Sequence, residues 1–158
     1  MHALRYLKTT QPRFLFISLN DADEWGHQGN YSEYIKTLAQ YDDWISELST
    51  TLETMGDYGK ETTLIVTTDH GRGDGSNWTN HGTSAPESKY IWLYAGGPKL
   101  KNIPTPKTTY AHNDIRPTIQ AILNMDASKC EDCGRIISEL TDALNQTKTI
   151  NQPNKSSR

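Results

Sequence analysis

The stretch Leu64-Ile65-Val66-Thr67-Thr68-Asp69-His70-Gly71 sets a β-branched apolar run directly against a carboxylate, an imidazole and a glycine. Such a run reads as a buried strand. A buried strand that delivers charge and imidazole at its tip must pair those groups or use them, because stranding them out of water is costly. Chemistry is therefore expected at this tip.

Upstream, Phe14-Leu15-Phe16-Ile17-Ser18-Leu19 is a second apolar run, nearly continuous, as expected of a strand covered on both faces. It ends in Asn20-Asp21-Ala22-Asp23-Glu24-Trp25-Gly26-His27, read as a loop dense in polar ligand atoms with a helix after it. Between the two runs, Tyr34, Leu38, Tyr41, Ile45, Leu48, Leu52 and Met55 form one helical stripe. Asn30 with Glu33 resembles a capping box, and Gly56 is a plausible stop. Strand, helix, strand is a βαβ unit, which makes the strands parallel. Both acidic tips, Asp21/Asp23 and Asp69, then fall beyond the carboxyl ends of the strands, where such sheets bind ligands.

Downstream lies a long loop over 71–88, then a third strand, Tyr90 to Ala95, stopped by Gly96-Gly97-Pro98. A helix is expected from Asp114 to Asn124, capped by Asn113 or Asp114 with Pro117 in its first turn. A last short helix is expected over Gly134 to Leu144. The predicted fold is α/β, a mostly parallel sheet with helices on both faces. One domain is expected over 1–144, and the polar segment 145–158 reads as a disordered tail.

A chain of 158 residues can bury one real core, and its hydrophobic share of 34% is somewhat low because the loops and tail are polar. A net charge of −3 gives no basic footprint for nucleic acid. No apolar run is long enough to span a membrane, and Met1-His2-Ala3-Leu4-Arg5-Tyr6-Leu7 lacks the pattern of a signal peptide. Cys130 and Cys133, spaced CxxC in a polar loop, cannot complete a zinc site alone and read as a structural loop or local disulfide, with redox or metal work as the alternative. Sequons at Asn30, Asn77, Asn145 and Asn154 matter only in a eukaryotic secretory pathway.

The candidate ligands are Asp23, His27, Asp69, His70 and His81. Asp23 and His27, four apart on a turn or first helical turn, can reach one ion together. Asp69 and His70 would point oppositely on a regular strand, but beyond its end the chain turns and both can face one cleft, with Gly71 supplying freedom. Mixed His and Asp ligands suit zinc, with manganese or iron as alternatives. Five ligands exceed the three of one catalytic zinc, so two metals are the natural count. Asp21 reads rather as a cap or turn residue, and His112 as structural. Arg72, Trp78, Trp25 and Tyr31 could line a substrate pocket or simply pack the loops.

At these residues the chain resembles the alkaline phosphatase superfamily, which includes nucleotide pyrophosphatases/phosphodiesterases, cofactor-independent phosphoglycerate mutases and sulfatases. Asp23-Glu24-Trp25-Gly26-His27 is similar to its DxxGH element and Thr67-Thr68-Asp69-His70-Gly71 to its [TS]DHG element. His81-Gly82, the strand ending Gly96-Gly97-Pro98, and Asp114-Ile115-Arg116-Pro117-Thr118 follow in that family's order. The resemblance implies an alkaline phosphatase-like fold and a metal-dependent phosphoester hydrolase, a phosphatase or phosphodiesterase. Asp23, His27 and His81 would hold one divalent metal and Asp69 with His70 the second, zinc first, manganese or calcium otherwise. An earlier Asp and the Ser or Thr nucleophile would lie upstream of Phe14, so the chain is expected to correspond to the C-terminal half of such an enzyme, with weakened metal binding and little turnover. The substrate would be a phosphorylated or sulfated small molecule, and Arg72 and Trp78 are the substrate-binding candidates. A periplasmic or extracytoplasmic location follows from the resemblance alone. A sulfatase, and an inactive metal-binding or assembly module, are the alternative readings.

Overall fold

The computed structural model describes residues 2–100, 103–104, 106–126 and 130–150, which divide into two units, Met1–Tyr94 and Ala95–Arg158. The first unit contains α1 (His2–Thr10), α2 (Asp21–His27), α3 (Tyr31–Glu53), α4 (Gly56–Glu61) and β1 (Leu64–Thr67). The stripe and cap of α3 follow the sequence: Asn30 Oδ1 accepts the Glu33 N–H at 3.2 Å, satisfying one of the free donors of the first turn. Leu48 of this stripe meets Leu4 and Leu7 of α1 to form the core, joined by Leu15, Ile17, Leu52, Met55, Tyr58 and Leu64.

Two expectations are corrected here. The polar segment 21–27 is a helix rather than a loop. The run Phe14 to Leu19 is not a strand, so it forms no parallel pair with β1. Among the described residues the sheet has two antiparallel strands, β1 and β2 (Leu93–Gly96), in place of a mostly parallel sheet with helices on both faces. The physical reason lies in the run's environment. Leu15 and Ile17 turn onto the core, while Phe14 and Phe16 face outward, Phe16 at 76% exposure. No ladder partner lies beside this segment among the described residues, and an apolar run without one stays merely extended.

The second unit has its own core. Leu100, Ile137, Leu140 and Leu144 cluster with Ala95, Ile103, Tyr110, Ile122 and Ala143. Its elements are α5 (Ile115–Ile122), preceded by a 3-10 turn over His112–Asp114, and α6 (Ser138–Ile150). The buried Asp114 carboxylate accepts the backbone N–H groups of Ala111 and Arg135, each at 2.7 Å. The buried Thr118 hydroxyl donates to the Asp114 carbonyl at 2.6 Å and accepts the Ile137 N–H at 2.9 Å. The Asp-Ile-Arg-Pro-Thr element is thus a hydrogen-bonded staple between α5 and the entry to α6. Cys130 and Cys133 form a disulfide. The last helix runs to Ile150, into the polar segment expected as a tail, and 151–158 lie outside the described residues.

Candidate metal centre

Two elements and one loop of the first unit bring the candidate ligands together. Helix α2 carries Asp23 and His27 one turn apart, so both lie on one face, with His27 Nε2 3.3 Å from Asp23 Oδ2. The helix is held at its first turn by α3: the Ala22 N–H donates to the Tyr41 hydroxyl at 3.1 Å. Burial raises the Tyr41 phenol above its ordinary value, keeping it a neutral hydroxyl.

Beyond β1, the Asp69 carboxylate accepts the His70 N–H at 2.9 Å. His70 Nδ1 lies 2.8 Å from the Gly71 carbonyl, which can only accept, so Nδ1 carries the proton and Nε2 presents its lone pair. This Nε2 stands 3.4 Å from Asp69 Oδ2 and 3.8 Å from Asp23 Oδ1. Gly71 serves a different purpose from the one expected. It does not adopt a left-handed conformation. Its N–H donates to Ser88 O at 2.6 Å, and a Cβ would stand 3.0 Å from the Tyr90 carbonyl and 3.2 Å from the Ser88 carbonyl. Glycine is needed for close backbone approach.

The loop returns His81 to the same place. Its Nε2 lies 3.0 Å from His27 Nε2 and 3.8 Å from Asp23 Oδ1, and its ring stacks on His70 with centroids 3.7 Å apart. Burial holds the His81 imidazole below the ordinary histidine value, with the His70 neighbour adding to the shift and Asp23 opposing it. A neutral imidazole is the form that ligates metal. The loop is anchored by Trp78, packed edge-on against Tyr31 at 5.4 Å and Tyr34 at 5.8 Å, and by buried Ser88, whose hydroxyl accepts the Gly82 N–H at 2.9 Å. The sequence places Tyr41 on the α3 stripe without pointing to this site, and it does not single out Ser88. Their roles exist only through tertiary hydrogen bonds, and neither leaves a local signal.

One ligand atom each from Asp23, His70 and His81 lies within 4.8 Å of the others, and His27 adjoins the set. Ligands of one zinc stand about 2.0–2.2 Å from it, hence roughly 3–4 Å apart. The donor set therefore fits a divalent ion after small side-chain rotations. Asp69 is 84% exposed and reaches the group through His70. Asp21 and His112 are not in it. Arg72 is turned inward onto Asp23, and Trp78 is committed to the α3 aromatics.

The family model of the Metalloenzyme superfamily matches residues 1–127. The chain belongs to the Metalloenzyme superfamily. This metalloenzyme chain is 30% identical over 124 residues to a phosphopentomutase of Clostridium acetobutylicum, a match covering 78% of the chain and 29% of that protein. It is 28% identical to the 2,3-bisphosphoglycerate-independent phosphoglycerate mutases of Prochlorococcus marinus and Gloeobacter violaceus, over 78% of the chain and 23% and 24% of theirs. The metalloenzyme chain thus spans less than a third of the length of the curated relatives it matches. No solved structure matches it significantly. No helix among its described residues is long and apolar enough to cross a membrane.

Proposed function

We propose that this chain supplies the metal-holding part of a phosphoryl-transfer enzyme acting on a phosphorylated small molecule. The observation that carries this reading is the convergence of Asp23, His70 and His81 from α2, the tip of β1 and the loop after it. His27 extends the set on one side and Asp69 on the other. The resemblance divides the five groups between two ions. Asp23 Oδ1 stands 3.8 Å from both His70 and His81, which supports a continuous cluster in which Asp23 serves either. Three imidazoles favour zinc or manganese over calcium.

Asp23, His70 and His81 would hold a divalent cation, which when bound would supply charge stabilisation to phosphoryl oxygens and acidify a hydroxyl nucleophile. The chain's own residues prepare for it. The Gly71 carbonyl fixes the His70 tautomer, and burial keeps His81 neutral. The names of the relatives favour transfer between positions on an organic phosphate over release to water. Hydrolysis is the second reading, supported by the phosphatase-like motifs, and it uses the same residues.

Titrating the full chain with Mn²⁺ and Zn²⁺ tests the proposal. Binding is expected, weakened about tenfold or more by Asp23→Asn or His81→Ala. Phosphoglycerate added to the Mn²⁺-loaded chain is expected to lower the water-proton relaxation rate as phosphate displaces water. Absence of metal binding, or binding indifferent to both substitutions, overturns the reading.

A further inference from the structure

Beside the ligand set lies one largely enclosed cation. The Arg72 side chain is only 11% exposed. Its Nη1 donates to Asp23 Oδ1 at 3.1 Å and its Nη2 to the Asp23 carbonyl at 3.0 Å. The guanidinium therefore grips one residue at two points, side chain and main chain. It lies against α2 at Gly26, where a Cβ would stand 2.0 Å from Nη2 and 2.3 Å from Cζ. Tyr34 flanks it, with the ring centroid 5.9 Å from Cζ. Its Nε–H is buried without a partner among the described residues. A guanidinium seated for its own satisfaction would not leave that donor bare. The seat answers to Asp23 instead.

We propose that Arg72 is a positioning residue. It fixes the Asp23 carboxylate so that Oδ2 faces His27 while Oδ1 faces His70 and His81. Gly26 is the small residue that admits the guanidinium. The inference rests on the metal-centre reading above. Two effects oppose each other: a fixed positive charge beside the site repels a cation, and a held carboxylate needs no reorganisation to ligate it. Hydrogen bonds to ligating groups usually prevail, at about 10–100-fold in affinity.

The test measures Co²⁺ and Zn²⁺ affinity of the full chain by competition with a chromogenic chelator, with the Co²⁺ absorption spectrum and a thermal melt in parallel. Arg72→Ala and Gly26→Ala are each expected to weaken binding about 10–100-fold and to alter the Co²⁺ spectrum of the folded chain. Arg72→Lys recovers only part of the loss, because one ammonium cannot span both Asp23 oxygens as a fork does. The double variant Gly26→Ala/Arg72→Ala is no weaker than Arg72→Ala, since the added methyl then has no guanidinium to expel. A folded Arg72→Ala chain binding as tightly as the unaltered chain or tighter, an unchanged spectrum, or losses that multiply in the double variant each overturn the assignment. If Arg72→Ala does not fold, Arg72→Lys and Gly26→Ala decide it. An unaltered chain that binds neither ion sinks the metal-centre reading itself, a result distinct from binding that ignores Arg72.

Discussion

The tautomer of His70 and the backbone approach at Gly71 are two sides of one turn. The Gly71 carbonyl accepts the hydrogen bond from His70 Nδ1–H while the Gly71 N–H donates to Ser88 O. Gly71→Ala forces a methyl to within about 3 Å of two carbonyls, so the turn must open. The expected cost is about 1–3 kcal/mol in urea unfolding of the metal-free chain. An unchanged midpoint would show that the neighbouring strand yields freely. Tyr41 makes a comparable contribution at longer range. Tyr41→Phe leaves the Ala22 N–H without its acceptor and should destabilise the chain by about 1 kcal/mol.

At the scale of elements, α3 was legible because its stripe and cap are local properties. Asn30, Glu33 and the 4-3-4 spacing need nothing from elsewhere. The tip of β1 was legible for the same reason. Helix α2 was hidden because Asp21 to His27 offer no apolar stripe. The helix is fixed instead by Tyr41 on α3 and by Arg72 from the loop. The run Phe14 to Leu19 misled in the opposite direction: its composition suits a strand, but a strand also needs a neighbour to bond with. Helix α6 provides a test of its own. Tyr110 donates to Glu139 in the helix's first turn, and this bond, with the residue's own backbone N–H second, holds the carboxyl below the usual glutamate range. The contribution to stability is therefore present above that range and is lost as pH falls through the depressed value. Tyr110→Phe should return the Glu139 titration, followed by NMR, toward its ordinary position. A carboxyl that titrates unchanged would rule the bond out as the cause.

At the scale of the whole molecule, the five candidate ligands and all four tryptophans (Trp25, Trp44, Trp78 and Trp92) belong to the first unit, while the disulfide belongs to the second. Tryptophan fluorescence therefore reports on the unit that holds the metal centre. Zinc at a hundredfold excess over its Kd should stabilise the fluorescence-detected transition by about 2.7 kcal/mol. Reducing Cys130–Cys133 should leave that midpoint in place, and a shift would show that the two units unfold together. The seat of Arg72 also bears on descent. Gly26 and Arg72 occupy overlapping space, so changes at the two positions are ordered in time. Arginine can be lost while glycine stays, but alanine at position 26 is tolerated only in a lineage that has already given up the guanidinium. Across relatives, the two positions should covary along that single path.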